Sequence, residues 1–520
     1  MCLGRVEYTL QMATHYFPQI TQVTMRRLVF LVALLLVSLE PLRMAEAAEP
    51  DVADAEKLAA DARKAWNVPG FTVIVVRGDD TLLLKGFGVR TQGQAEKITP
   101  DSLFPLASCS KAFTTTLMAM LVDDGVLAWD DSLKKHFAGF KLSDPNADAL
   151  LTVRDLLCHR CGLGGHDLLW YRAPWDIDET LKRAQCLPLD YSFRSGFRYS
   201  SIPFLAAGRA IEKVAGESWE KLVRTRICEP LGMEGVRFTT TEIPKDADRA
   251  TGHRIGKTGK PETTPHYEMK EPNPSGSVHA TGKDIAAWLK FHLADGVGAD
   301  GIRYASIKNL TETHTPQNII RVEGSVKDLN PDTVQLAYAM GWLVYDHRGK
   351  KVISHGGLID GFRAQLTLLP DDNLGIAVLA NMHDTRVNAA LTNSLIDLYC
   401  KLPVKDWNAH FQKVEADSAA TRTATLAARE KARNPNAAAS LKESGYTGEY
   451  THTAYGTATV KLADGKLTLT YGTTAYPLEW FEGDTFRITE GQFAEQLVPF
   501  DVVAGKATTF RFAGQEFRRK

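Results

Sequence analysis

Ser108 and Lys111 stand three residues apart near the start of FPLASCSKAFTTTLMAMLVDDG, residues 104–125. Phe113, Leu117, Met120 and Leu121 fall on one helical stripe and Gly125 supplies a stop, so the segment reads as a buried amphipathic helix with serine and lysine one turn apart. A lysine carried into an apolar interior is costly when charged. Desolvation then lowers its pKa and leaves a neutral amine to act as a base, which is what a weak hydroxyl nucleophile requires. The helix start adds oriented N–H groups where an oxyanion would develop. The plain structural alternative is that Ser108 caps the helix and Lys111 reaches out to water, and the pair alone does not choose between the two.

Ser-x-x-Lys also occurs at Ser132/Lys135 and Ser218/Lys221. Both of those serines precede short polar helix patterns and read as N-caps. Two further segments carry usable chemistry. In SGFRYSSIPFLAAG, Tyr199 shares a loop with Ser200 and Ser201, a phenol and two hydroxyls that can complete a proton relay. In KVISHGGLIDGF, a strand ends on His355-Gly356-Gly357, where paired glycines would let a substrate backbone lie against the strand edge. The blander readings are an aromatic packed in a loop and a β-bulge with an exposed histidine. Cys158-His159-Arg160-Cys161 lacks a second ligand pair at matching spacing, so no metal and no cofactor are expected.

Elements must hold these residues together. A helix pattern at 51–66 is followed by FTVIVV and TLLLKGFGV, a hairpin of largely buried strands. Residues 105–300 are mostly helical patterns. Strands return as GWLVYD, KVISH, RAQLTLL and LGIAVLAN, whose short turns make them antiparallel neighbours. This pattern predicts an α/β (α+β) fold: one antiparallel sheet assembled from both ends of the domain, flanked by helices, with a helical lobe inserted and a cleft between lobe and sheet. Residues 385–400 read as the closing helix. The Ala-rich, charged stretch 411–443 reads as a linker, partly helical at best. From Tyr446 onward the pattern alternates and predicts a small antiparallel β module with a turn at Asp464-Gly465.

The chain has 520 residues, 44% hydrophobic and 24% charged, with a net charge of −1, so it has no basic footprint for nucleic acid. A small-molecule or peptide substrate in a pocket is the expected partner. Residues 25–47 carry two arginines, an apolar run and an Ala45-Glu46-Ala47 cleavage pattern, which reads as a secretory signal peptide and implies an exported, periplasmic or secreted protein. Residues 1–24 read as an extension upstream of a second start at Met25. No run reaches the roughly 20 apolar residues of a membrane span. The remaining cysteines are too sparse for a disulfide scaffold, and oligomeric state has no readable signal.

Taken in order, Ser108-x-x-Lys111, Tyr199-Ser200-Ser201 and His355-Gly356-Gly357 resemble the class C β-lactamase and DD-peptidase superfamily of serine hydrolases. VPGFTVIVVRGD, ITPDSLFPLASCSKAFT, LVDDGVLAWDDSL and YAMGWLVYDHRGKKVISHGGLIDGF are similar to its segments, and the resemblance spans about residues 51–405. It implies a hydrolase domain over 48–405, a linker over 406–443 and a β-rich C-terminal extension over 444–520. It implies Ser108 as acylated nucleophile, Lys111 as general base or relay and Tyr199 as proton donor to the leaving group. The oxyanion would face the backbone N–H groups of Ser108 and Leu358, with Ser201, His355, Gly356 and Gly357 lining the substrate. Two departures matter: Ser201 stands where many relatives have asparagine, and His355 replaces the lysine of the β-lactamases. Both make efficient β-lactam turnover less expected than action on esters or D-amino-acid-containing peptides. The alternatives are a β-lactamase or penicillin-binding DD-carboxypeptidase and, in another class, a non-catalytic cell-wall or peptide-binding protein.

Overall fold

The computed structural model describes residues 49–267, 269 and 271–520. The expected signal peptide and upstream extension lie outside the described residues. The first strand, β1 (Gly70–Arg77), is buried along nearly its whole length, as its unbroken apolar run demands. It pairs on one side with β2 (Asp80–Gly88), completing the expected hairpin. On its other side lies a strand from nearly 300 residues later, β8 (Leu374–Ala380), with Phe71 opposite Ala380. Between them in the chain come β3 (Asn318–Ile320), β4 (Leu336–Tyr338), β5 (Leu343–His347), β6 (Lys350–Ile359) and β7 (Phe362–Leu369). The eight strands lie in the order β2-β1-β8-β7-β6-β5-β4-β3, with antiparallel pairing throughout.

The period-two alternation of β1 divides the core. Val73 and Val75 face a layer made by α1 (Val52–Ala65) and α5 (Val387–Tyr399), where Ala55, Ala59, Leu391 and Leu395 are buried. Ile74 and Val76 face the opposite layer, formed by α2 (Ser110–Asp123), α3 (Ile202–Ala215) and α4 (Gly282–Leu293). There Phe113 stacks on Trp288 at 4.1 Å. The capping box at Thr281–Asp284 starts α4, each partner's side chain accepting the other's backbone N–H. Ser132 and Ser218 do occupy N-cap positions, but neither side chain caps; Ser218 Oγ donates instead to Glu220 at 2.6 Å.

The expected linker needs correction. Residues Trp407–Ala432 form one continuous helix, α6, capped by Asp406, which accepts from the Ala409 N–H at 2.9 Å. Scarcity of large apolar residues there argues against burial, not against helix: alanine is the best helix former, and Lys413 pairs with Asp417 one turn on at 2.6 Å. Trp407 and Phe411 bury its first turns, and near its other end Arg429 donates to the Glu495 carboxylate of the barrel at 2.7 Å. The C-terminal strands β9 (Gly448–His452), β10 (Gly456–Ala463), β11 (Lys466–Tyr471), β12 (Thr474–Glu482), β13 (Thr485–Ile488), β14 (Leu497–Val503), β15 (Lys506–Phe512) and β16 (Gln515–Arg519) close into a barrel. The Asp464-Gly465 turn has φ of +53° and +71°, the double positive a tight hairpin needs. Val52–Lys520 is one compact unit, and among the described residues no helix is long and apolar enough to cross a membrane.

Trp407 has no exposed surface and its Nε1 donates to Asp397 at 2.8 Å. Trp407→Ala is expected to cost about 3–5 kcal/mol, read as a lower urea midpoint of the full-length protein.

Candidate active site

Ser108 sits in a short turn, Ala107–Cys109, that leads into α2. Ala107 precedes it at φ +47°, a left-handed conformation unusual for a residue with a Cβ, and the helix then drives Lys111 inward. The turn is pressed against β6: a Cβ on Gly357 would lie 2.0 Å from the Leu106 carbonyl oxygen, so only glycine permits this approach. The strand and the Ser108 turn are thereby held in close contact.

Lys111 has no exposed surface. Its Nζ lies 3.3 Å from Ser108 Oγ, 3.4 Å from Ser201 Oγ and 2.9 Å from the Ser275 carbonyl. Burial dominates and pushes the amine down to about 7, against the opposing fields of Asp167 and Cys109. A neutral amine has two N–H donors and one lone pair. The Ser275 carbonyl can only accept and Ser201 Oγ can accept, which leaves the lone pair for the Ser108 hydroxyl proton. Loop 273–277 is itself braced: Thr114 Oγ1 donates to the Pro274 carbonyl at 2.7 Å, and the Ser275 N–H donates to Asn273 Oδ1 at 2.8 Å. Gly208 of α3 admits the Pro274 ring, which would stand 2.2 Å from a Cβ there.

The Tyr199 ring lies 4.9 Å from Lys111 Nζ. Burial holds the phenol well above its usual range, with Ser108 offsetting part of the rise, so it is a proton carrier rather than a phenolate at neutral pH. Its hydroxyl is enclosed by protein, and the Ser108 side chain is the polar group that faces it. His159 supports it from behind, its ring 4.3 Å from those of both Tyr199 and Tyr338, and accepts the Ser200 N–H at 3.3 Å through Nδ1. Burial keeps this imidazole neutral.

His355 lies on β6 but does not present an exposed ring. It is only 4% exposed, and burial, with Lys111 adding to it, pushes its pKa down to about 3. Nδ1 lies 2.7 Å from the Gly356 carbonyl, which can only accept, so Nδ1 carries the proton and Nε2 accepts from the Tyr338 hydroxyl at 3.0 Å. Beyond Ser354, β6 is paired only with β7, because β5 stops there. Residues 355–359 thus border the cleft with an open edge. That cleft, of about 520 Å³, is lined by Ser108, Tyr199, His355, Gly356, Gly357 and Leu358 together with apolar side chains such as Phe197 and Leu336.

The structure brings Ser108, Tyr199, His355, Gly356, Gly357 and Leu358 together on the cleft, with Lys111 and Ser201 directly beneath. The expectation of an exposed His355 as the bland alternative is not met. Sequence reasoning passed over the Ser275 carbonyl, His159 and Asp167. A backbone carbonyl has no sequence signature, and the Cys158–Cys161 segment reads in sequence only as an incomplete metal motif. In the loop after Gly165, Trp170 and Trp175 line a small recess with Tyr267, whereas the Tyr171 hydroxyl bonds Asp360. The six described cysteines are free, with Cys158 and Cys161 buried.

Comparison with known proteins agrees with this layout. A family profile described as Beta-lactamase matches residues 55–401, and one described as a domain of unknown function, DUF3471, matches 432–519. Unguisins hydrolase ungD of Aspergillus violaceofuscus is 26% identical over 496 residues, covering 89% of this chain and 87% of its own length. Penicillin-binding protein 4 of Amycolatopsis lactamdurans is 28% identical over 330 residues, 61% of this chain and 82% of that protein. Among solved structures, the octameric penicillin-binding protein homologue from Pyrococcus abyssi superposes with a TM-score of 0.61 at 20% identity, covering 90% of this chain and 99% of the other. The D-amino acid amidase of Ochrobactrum anthropi SV3 gives 0.55 at 23% identity, over 68% and 98%.

Because Gly357 touches a backbone carbonyl, Gly357→Ala is expected to lower the melting temperature and slow labelling of Ser108 by a fluorophosphonate, both measurable on the same preparation.

Proposed function

The chain belongs to the beta-lactamase family of serine hydrolases, and from that premise we propose that it is an exported enzyme that forms an acyl-serine at Ser108 with esters or D-amino-acid-containing peptides and then hydrolyses it. The observation that carries this reading is the buried Lys111 amine 3.3 Å from the serine hydroxyl. In the neutral state it takes the Ser108 proton as Oγ attacks the substrate carbonyl carbon. The tetrahedral oxyanion faces the backbone N–H groups of Ser108 and Leu358. Tyr199 gives its tightly held proton to the leaving oxygen or nitrogen and recovers one from Lys111. Water then attacks the acyl carbon, its proton passing to the regenerated amine while the Ser108 oxygen leaves and is reprotonated.

Lys111 is better suited than Tyr199 to take the first proton. The amine lies near 7 whereas burial drives the phenol upward, so at neutral pH only the amine has an available basic form. The apolar cleft and the neutral, occupied His355 favour acyl esters and peptides over β-lactams, whose carboxylate would find no cation at position 355. Export rests on the signal-like composition of residues 25–47.

Intact-mass analysis after exposure to short acyl esters, D-amino acid amides and penicillins tests the chemistry. An acyl adduct from the first two classes that is absent in folded Ser108→Ala is expected; no adduct with any class, and no fluorophosphonate label, would sink it. Because protonation below pH ~7 removes the lone pair, kcat/KM is expected to rise with pH and level off above ~7. Lys111→Ala should lower kcat/KM by about 10²–10⁴-fold and abolish that limb, which steady-state pH profiles would record.

A further inference from the structure

The part of β6 that borders the cleft is supported by the sheet on one side. β5 ends opposite Ser354, so among the described residues 355–359 pair with β7 alone, through the two-residue turn Asp360-Gly361 that joins Ile359 to Phe362. Both turn residues are left-handed, at φ +32° and +91°, as a tight hairpin requires. A two-residue turn makes its flanking residues the pair that exchange N–H···O bonds, and alternation then points the Leu358 N–H away from β7, out to the open edge. That is the N–H assigned above to the oxyanion. Its placement depends on what holds the hairpin from outside the sheet. Near the base, Gly357 lies against the Leu106 carbonyl, and Cys109 Sγ donates to the His355 carbonyl at 3.2 Å.

At the tip the holding group is a carboxylate. Asp360 is only 4% exposed. Its Oδ1 accepts from the Tyr171 hydroxyl and from Arg172 Nη2 at 3.3 Å, and its Oδ2 accepts the Tyr267 N–H at 2.8 Å. The Arg172 guanidinium lies 5.4 and 5.6 Å from the rings of Tyr171 and Tyr267, which meet edge-on at 5.2 Å. A carboxylate so enclosed is tolerated only where donors meet its oxygens and a cation meets its charge, so this set of partners is a strong tie. The backbone of the turn rests on a second segment, the His253 N–H donating to the Gly361 carbonyl at 3.1 Å. Residues 171 and 172 belong in turn to a loop that the barrel grips. Tyr455, between β9 and β10, shares a 2.8 Å hydrogen bond with His166 Nδ1, and Tyr471, ending β11, donates to the Leu168 carbonyl at 3.2 Å. A Cβ on Gly472 would stand 2.9 Å from the Arg172 carbonyl oxygen. A continuous line of contacts thus runs from the barrel rim through residues 166–172 to Asp360, two residues from Leu358.

We propose that Asp360 is a positioning residue of the oxyanion hole: its buried carboxylate ties the tip of the β6–β7 hairpin to the loop that the barrel holds, and so sets the Leu358 N–H against the Ser108 turn. Asp360 acts through the strand, and the barrel acts through Asp360. This rests on the acyl-serine reading above and gives the C-terminal domain a part in that reaction.

The test uses the full-length protein with p-nitrophenyl acetate as substrate, and end-point fluorophosphonate titration of Ser108 to count the active molecules. Asparagine tolerates left-handed backbone, so Asp360→Asn removes the charge without straining the turn. Per titrated serine, kcat is expected to fall about 10-fold in Asp360→Asn while KM stays within about 2-fold, the mark of an interaction made in the transition state. The inhibition constant of phenyl trifluoromethyl ketone, whose serine adduct carries the oxyanion, is expected to rise by a matching factor. Tyr171→Phe is expected to move both quantities several-fold in the same direction, and it carries the test if Asp360→Asn does not fold. Tyr471→Phe is expected to move them several-fold as well. An unchanged kcat in the Asp360 and Tyr171 variants, or a kcat that falls while the ketone binds as in the parent, would overturn the assignment, since a purely structural tie reduces the number of active molecules and not the grip on an oxyanion. An effect confined to those two variants, with Tyr471→Phe like the parent, would overturn the share given to the barrel. Failure of the acyl-serine reading is distinguishable from all of these, because it would leave the parent itself unlabelled.

Discussion

Desolvation of a single amine organises this molecule. Lys111 is enclosed by α2, α3 and the 273–277 loop, and its charge is opposed by burial more strongly than it is favoured by Asp167 or by the faces of Tyr199 and Phe204 at 4.9 and 5.3 Å. A buried amine is tolerable only when its N–H groups are met, and the Ser275 carbonyl and Ser201 hydroxyl meet them. The glycine at 208, the proline at 274 and the brace from Thr114 are the packing that brings that carbonyl within reach. Each is a structural residue with a chemical consequence.

The second constraint is the contact between the Ser108 turn and β6. Gly357 against Leu106 fixes how near the open strand edge stands to Ser108, while His355 turns inward and joins Tyr338 in a neutral hydrogen-bonded pair. The imidazole thereby serves the strand's geometry rather than the field in the cleft. Arg363 and Arg386 are the cationic side chains that line the cleft, and Lys111 lies beneath it. The loop that follows Gly165 is held by the barrel through Tyr455 and Tyr471, so two domains that look independent along the chain share one mechanical element.

How much of this was legible follows from what kind of interaction made each part. The sheet was readable because β1 and β5–β8 are long apolar or alternating runs bounded by strong turns. The edge strand β3 and its neighbour β4, three residues each, were not, since a three-residue pattern has no measurable period. The helix α6 was misjudged because its composition argues about burial, and helix formation there comes from alanine propensity and local ion pairs. Eight barrel strands left alternation in the sequence, but the closure of β9 on β16 joins segments about seventy residues apart.

The sequence by itself determined which groups could react: Ser108 and Lys111 at one-turn spacing, Tyr199 before an apolar helix, glycines ending a strand. Those are local facts, carried by helical and strand periodicity over a few residues. Only the tertiary structure decided which protonation states these groups hold and which neighbours they answer to, because burial, the Ser275 carbonyl, the tautomer of His355 and the grip of the barrel on the Asp167 loop all come from segments distant in the chain. A pKa is a property of surroundings, and surroundings exist only once the chain has folded.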